Sequence, residues 1–254
     1  MGLFDLFKSK GGGGDKAGGE KKSNAAAKWA EAAGSKRAQA YDRQEAIQEL
    51  VKLKSSDAVE ALLKRFTFAT DPSITDQEEK ELVFEGIVGA GREAIEPVRV
   101  FAAKAESVAQ PLRILKAILD EDELIDELLV WLSRWDTEYA KFIDPKLQLL
   151  QLLEEYGNPK IRPAVEPFLQ DASEPARYLA VAATLAQKEP EAIAPVLAAL
   201  LEEESVRVKG KIADGFIALG WEVPHESRDH VRKALPPQYS VDGAGLLTKR
   251  PGGY

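Results

Sequence analysis

The sequence predicts an all-α protein, an α-α superhelix (solenoid) of about six helix pairs. From about residue 38 almost to the end, apolar residues recur with the period of an amphipathic helix. The first helices of successive pairs are predicted to start near residues 41, 76, 108, 144, 175 and 206, a spacing of 31 to 36 residues. A repeat of this length with two helices per period is typical of an α-solenoid, whose neighbouring pairs bury a continuous core. We expect no β-strand.

The first 37 residues differ in composition from the rest. Residues 1–10 form an amphipathic leader, and residues 11–23 are rich in Gly and Lys, which is typical of a flexible, disordered tether. Residues 24–37 contain a short Ala-rich helix that Asn24 can cap. We expect this helix to cover the N-terminal end of a repeat array that spans residues 38–235.

Proline and capping residues support the predicted helix starts. A proline follows an acid or an amide at four of them, where its missing N–H costs nothing. The four pairs are Asp144-Pro145, Asn158-Pro159, Glu174-Pro175 and Glu189-Pro190. After the last helix, residues 236–254 form a tail that we expect to cover the C-terminal end. Its apolar side chains Tyr239, Val241, Leu246 and Leu247 would pack back on the array.

The best-defined repeats lie in residues 171–220. The run DASEPARYLAVAATLAQKEPEAIAPVLAALLEEESVRVKGKIADGFIALG contains Ala176-Arg177 and Val206-Arg207, each followed by an Ala/Leu-rich stretch that ends before a turn. Gln110 to Arg113 follow the same pattern. This run resembles two successive HEAT repeats of the lyase-type, armadillo-like kind. The resemblance implies a HEAT-like solenoid over residues 38–235 and, because HEAT arrays have many unrelated functions, little about activity.

The resemblance also implies that the second helix of each pair lines a concave surface. This surface would be mixed in charge, with no continuous basic stripe. Its members would be Arg92, Glu93, Glu96, Arg99, Glu121, Asp122, Lys160, Arg162, Glu166 and Glu191.

Composition argues against several functions. The net charge is −8, and residues 1–37 carry eight Lys or Arg against four Asp or Glu, so the repeat region is strongly acidic. An acidic body should repel nucleic acid, and we expect no nucleic-acid partner. There is no cysteine, and His225 and His230 are the two histidines. The single pair His225-Glu226 falls short of the several His-Glu pairs that HEAT-like di-iron enzymes use, so we expect no metal and no cofactor.

One aromatic group is a candidate partner site. Trp131 and Trp135 are four residues apart, so on a helix they would share a face, and Arg134 and Tyr139 are close in sequence. Trp, Tyr and Arg are the residues that most often dominate interfaces. Arg92 and Arg99 are further candidates on the second helices. The alternative is that Trp131 belongs to the core and Trp135 packs under a turn.

The leader is a second candidate. Leu3, Phe4, Leu6 and Phe7, with Lys8 and Lys10 nearby, form a short apolar face that can act as a membrane or partner anchor. The alternative is a disordered leader.

The leading hypothesis is a non-catalytic protein-protein interaction scaffold or adaptor in the cytoplasm that binds another protein. One alternative is a peripheral membrane adaptor at the inner face of a membrane, anchored weakly by residues 1–10. The other is a HEAT-like enzyme such as a pigment-lyase-type subunit.

Overall fold

The computed structural model describes residues 14–250, with side chains from residue 24 onward. The predicted anchor residues Leu3, Phe4, Leu6 and Phe7 lie outside this part of the chain. This part of the chain contains thirteen α-helices and two short β-strands. The prediction that the chain is mainly α-helical is therefore confirmed. The chain forms two compact units, which are described in turn.

Unit 1 comprises Met1–Ala105 and Ala109–Leu119. Its helices are α1 (Gly14–Ala33), α2 (Ala40–Leu53), α3 (Ser56–Leu63), α4 (Ser73–Gly89), α5 (Ile95–Ala102) and α6 (Ala109–Ile118). Helix α1 packs on α2 and α3, α2 packs on α4, and α3 packs on α5. Helix α6 then packs on both α4 and α5. Each helix pair therefore contacts the next one in sequence.

Unit 2 comprises Glu106–Val108 and Asp120–Tyr254. Its helices are α7 (Glu121–Leu132), α8 (Asp144–Leu153), α9 (Ile161–Val165), α10 (Glu174–Ala186), α11 (Ile193–Glu202), α12 (Val206–Leu219) and α13 (Arg228–Ala234). Helix α8 packs on α10 and α10 on α12, while α7 packs on α9 and α11 on α13. Helix α9 has five residues, because Pro167 has no N–H to donate to the Pro163 carbonyl, and the chain continues as a 3-10 helix.

The predicted starts of the first helices are confirmed. Helices α2, α4, α6, α8, α10 and α12 begin within three residues of the predicted positions. Pro145 and Pro175 occupy the first turns of α8 and α10 as expected. At α12 the cap is Ser205, whose side chain accepts a hydrogen bond from the Val208 N–H.

The N-terminal segment differs from the expectation. Helix α1 begins at Gly14, so residues 14–23, for which we expected a flexible tether, are helical. Ala26 and Ala33 are buried where α1 packs on α2 and α3. Once such a packed turn exists, each further helical residue adds one backbone hydrogen bond, and this favours extension toward the N-terminus. Asn24 therefore lies inside the helix and does not cap it.

The C-terminal segment corrects the expectation that the chain has no strand. Strands β1 (Tyr239–Val241) and β2 (Leu247–Lys249) form an antiparallel hairpin in which Tyr239 pairs with Lys249. β1 packs on α13 and β2 on α12, and the side chains of Tyr239, Val241 and Leu247 are buried there. The Arg228 guanidinium donates to the carbonyls of Val223, Gly243 and Ala244, which fixes the hairpin to the start of α13.

A charged network lies inside unit 1. Arg43 and Arg65 are almost fully buried, and both donate to the buried carboxylate of Glu79 at 2.7 Å. Arg65 also reaches Asp76 at 2.7 Å. Burial raises the pKa of Asp76, but hydrogen bonds from Lys80, from Arg65 and from a backbone N–H lower that pKa more, and the net direction is downward. The network joins α2, α4 and the 3-10 helix Lys64–Thr67 that follows α3.

Candidate functional site

The structure separates the two tryptophans of the predicted aromatic site. Trp131 is buried in unit 2, and its Nε1–H donates to Glu127 Oε1 at 2.6 Å. The expectation that Trp131 and Trp135 share one helix face is wrong, because α7 ends at Leu132 and the chain then turns, with the Trp135 N–H bonded to the Leu132 carbonyl. Trp131 is therefore a core residue.

The residues that follow α7 form an exposed aromatic loop, residues 133–143. Tyr139 is 81% exposed and Phe142 is 72% exposed, and Arg134 also faces solvent. Trp135 is half-buried at the base of this loop. The sequence prediction included Tyr139, Arg134 and Trp135 but missed Phe142. A second aromatic residue three positions after Tyr139, in an otherwise polar stretch, was the available signal.

A buried ion pair holds the base of the aromatic loop. The Lys146 ammonium, whose side chain is 1% exposed, lies 2.6 Å from the fully buried Asp171 carboxylate. The same ammonium donates to the Asp136 carbonyl at 3.0 Å. It also lies between the rings of Trp135 and Phe168, 5.9 and 5.7 Å from their centroids. The loop is thus attached to α8 by the charge beneath it.

A second attachment joins the loop to the connection before α10. The Ala172 N–H donates to the Thr137 carbonyl at 2.8 Å. Asp171 contributes here as well, because its Oδ1 accepts the Ser173 N–H at 2.8 Å. One carboxylate therefore fixes the start of α10 and, through Lys146, the conformation of the aromatic loop.

The same arrangement recurs one helix pair later. Arg177 in the first turn of α10 donates through two nitrogens to Glu203, at 2.7 and 2.9 Å. Glu203 also accepts the N–H groups of Glu204 and Ser205. Burial raises the pKa of Glu203, but the Arg177 and backbone hydrogen bonds lower it more, so the carboxyl stays ionised. Arg177 reaches back to the Asp171 carbonyl at 2.9 Å, which links the two connections.

These contacts place three connections of unit 2 next to one another. Each joins a second helix to the next first helix: residues 133–143, 171–173 and 203–205. Together with the adjoining helix turns they are named the turn edge here. Six large apolar residues are exposed in the described part of unit 2, and five of them lie on the turn edge. The five are Val130, Tyr139, Phe142, Leu201 and Val206, and the sixth, Ile217, lies on α12.

Unit 1 shows the same tendency at the corresponding positions. Tyr41, which is 76% exposed, lies in the first turn of α2, and Ile74, which is 67% exposed, lies in the first turn of α4. Among the described side chains of this unit, the third exposed large apolar residue is Val100, in the last turn of α5. Exposed apolar side chains therefore concentrate where one helix pair leads into the next.

The second helices and their flanking turns, which we expected to line a binding surface, carry charges that pair with each other. Arg99 lies 3.5 Å from Glu96 in unit 1, and Arg92 nearby is exposed. In unit 2, Lys160 lies 2.7 Å from Asp126. Arg162 bridges Glu166 and Glu189. The hydrogen bonds to those two carboxylates raise the pKa of Arg162. These ion pairs neutralise much of the charge that the second helices and their flanking turns carry.

A cleft opens on the turn edge beside the two ion pairs. Its volume is about 260 Å³. It is lined by Leu169, Gln170, Asp171, Arg177, Ala199, Glu202, Glu203 and Glu204. Acidic side chains outnumber the single arginine among these residues, so the cleft favours a cation over an anion.

Within residues 24–250, no group of three or more His, Cys, Asp or Glu side chains is placed to hold a metal ion. His225 and Glu226 lie in an exposed single-turn 3-10 helix. No helix in the described range has both the length and the apolar content needed to cross a bilayer.

Comparison of the chain with protein-family models, curated proteins and solved structures gives no match.

Proposed function

We propose that the protein is a non-catalytic interaction scaffold that binds another protein through the turn edge of unit 2. The observation that carries this proposal is the pair Tyr139 and Phe142, which are exposed on a loop whose base is fixed by the buried Lys146–Asp171 pair. Large exposed apolar side chains on an ordered element are typical of interaction sites.

The energetics favour a binding role over a folding role for these two side chains. Burying a large apolar or aromatic side chain is worth about 1.5–3 kcal/mol, and neither Tyr139 nor Phe142 obtains that stabilisation from the described residues. A partner protein that covers both side chains gains this free energy on binding. Because the loop is already attached at its base through Lys146 and Ala172, binding loses less conformational entropy than it would on a free loop.

A HEAT-like solenoid is the architecture we propose for the scaffold. Its support is the regular spacing of the first helices and the packing within each unit, where first helices contact the following first helices. In unit 1 this series is α2, α4 and α6, and in unit 2 it is α8, α10 and α12. Such arrays have long surfaces and typically bind extended partners.

The test compares a double variant and a single control variant of the full-length protein. Tyr139→Ala with Phe142→Ala removes the aromatic pair, and the control Ile217→Ala removes an exposed apolar side chain of the same unit that lies off the turn edge, near the end of α12. Partners are captured from the native cells and quantified, and the main partner is purified for calorimetry. We expect the aromatic variant to lose at least about tenfold in affinity, the control to lose less than about twofold, and both to keep their melting temperature. Equal affinity of the two variants would refute the proposal.

A further inference from the structure

We infer that the turn edge of unit 2 binds a basic segment of the partner protein that also carries large apolar side chains. This inference rests on the proposed function and adds the chemistry of the partner. It combines two observations: the apolar side chains on the turn edge and the sign of the charges among them.

Four of the exposed apolar side chains of the turn edge form two neighbouring pairs. Tyr139 and Phe142 lie on the aromatic loop, and Leu201 and Val206, which are 43% and 64% exposed, flank the connection 203–205. The connection 171–173 lies between them, attached to the aromatic loop by Ala172 and to the connection 203–205 through Arg177. A segment that covers both pairs therefore crosses three consecutive connections.

The ionic contacts of the turn edge divide its charges into two groups. Lys146 with Asp171, Arg177 with Glu203, and Arg207 with Glu174 form pairs that neutralise each other. Five further carboxylates are exposed, against two exposed cations and the half-buried Lys209 in the first turn of α12. The carboxylates are those of Asp136, Glu138, Asp144, Glu202 and Glu204, and the exposed cations are Arg134 and Lys141.

The excess of negative charge selects the partner. A basic segment gains attraction over the whole edge, whereas an acidic segment of the same apolar content is repelled. Glu202 and Glu204 also line the cleft of about 260 Å³, which has room for one long cationic side chain. A partner segment with lysine or arginine beside leucine or phenylalanine satisfies both parts of the surface.

The experiment measures fluorescence anisotropy of two labelled synthetic peptides with the full-length protein. The peptides LFKKLFKK and LFEELFEE share their apolar residues and differ in the sign of their charges. We expect the lysine peptide to bind at least about tenfold more tightly than the glutamate peptide, by a margin that shrinks as salt is raised. Equal binding of the two peptides, or no binding of the lysine peptide below about 1 mM, would overturn the inference.

Two charge variants locate the binding. Glu202→Gln with Glu204→Gln removes two charges from the turn edge, and Glu121→Gln with Glu191→Gln removes two exposed charges from α7 and from the turn before α11. Since the loss of each exposed ion pair weakens binding about 1.4- to 5-fold, the first variant, which loses two charges, should bind the lysine peptide about 2- to 30-fold more weakly. The second should change affinity by less than about twofold. Equal weakening by both would show attraction to net charge alone and would overturn the inference.

The outcomes of the two tests are separable. If the natural partner is lost on removal of Tyr139 and Phe142 but the lysine peptide does not bind, the scaffold function stands and the partner chemistry is wrong. If the lysine peptide binds at Glu202 and Glu204 but the natural partner is retained by the aromatic variant, the proposed role of the aromatic loop fails.

Discussion

Replacing Lys146 with Met should be among the most damaging single substitutions in unit 2. The Lys146 and Asp171 side chains are 1% and 0% exposed and lie 2.6 Å apart, so methionine leaves a carboxylate buried without its counter-ion. Breaking a buried pair in this way costs about 3–5 kcal/mol. The substitution also removes the donor to the Asp136 carbonyl, so the aromatic loop loses one of its two attachments.

Urea unfolding followed by tryptophan fluorescence measures this cost. Trp135, whose ring centroid lies 5.9 Å from the Lys146 ammonium, reports the local change. The control is Lys160→Met. The Lys160 ammonium lies 2.7 Å from the Asp126 carboxylate, nearly the same distance as in the buried pair, but the two side chains are 58% and 57% exposed. For that pair we expect a loss below about 1 kcal/mol.

A double variant separates charge from packing. In Lys146→Met with Asp171→Asn, the amide oxygen can still accept the Ser173 N–H while the buried charge is absent. We expect it to recover most of the lost stability, because the uncompensated carboxylate is the main source of the cost. A single variant that loses no more than the Lys160 control, or a double variant no better than the single one, would refute the reasoning.

Three further predictions concern the remaining structure. First, the pKa of Asp76 is lowered in the folded state, so its stabilisation is complete above the unfolded value near 4 and is lost as the pH falls through the folded pKa. The variant Asp76→Asn should lose about 3 kcal/mol at pH 7 and show a flatter acid limb in chemical unfolding. Second, Gly86→Ala should destabilise by about 1–3 kcal/mol, because a Cβ there would lie 2.3 Å from Val51 Cγ2. Gly89→Ala in the same helix has no atom within 4 Å and should stabilise by up to about 1 kcal/mol in thermal unfolding. Third, Arg228→Ala should speed hydrogen exchange in the C-terminal hairpin at least about tenfold without affecting α8.

Each of these three predictions would be contradicted by one specific result. A steep acid limb retained by the Asp76 variant would mean that other carboxyl groups control acid unfolding. Equal effects of the two glycine substitutions would contradict the close approach of α2 and α4. Unchanged exchange at residues 239–249 would show that the hairpin does not depend on Arg228.

The sequence predicted the helix starts well because local chemistry determines them. Pro145 and Pro175 need no neighbour to be favourable in a first turn, and the start positions agree with the structure. The end of α7 was not predicted, since Trp131 and Trp135 are compatible with a continued helix. The chain just after Trp135 is held by tertiary contacts, from Lys146 in α8 and from Ala172, that the sequence does not reveal. The hairpin was missed because strands of three residues carry no measurable period.

The candidate site was predicted only in part, for a related reason. Tyr139 and Arg134 were chosen by residue type, and whether such a residue is exposed depends on its tertiary neighbours. The same criterion selected Trp131, which the structure places in the core. The contribution of Lys146 could not be predicted, because its partner Asp171 is 25 residues away and a lysine in a helix usually faces solvent.

The repeated ion pairs give a physical reason why binding should use the connections. Asp171 and Glu203 each accept a backbone N–H at a helix start and a cation from the preceding first helix. The conformation of the connection is therefore set by one buried or nearly buried carboxylate and its partners. The side chains that project outward from it contribute little to that conformation, so they can be large and apolar without altering the fold. On the second-helix side, Lys160 and Arg162 already pair with carboxylates of the same unit, and a partner there would have to replace those contacts before it gained its own.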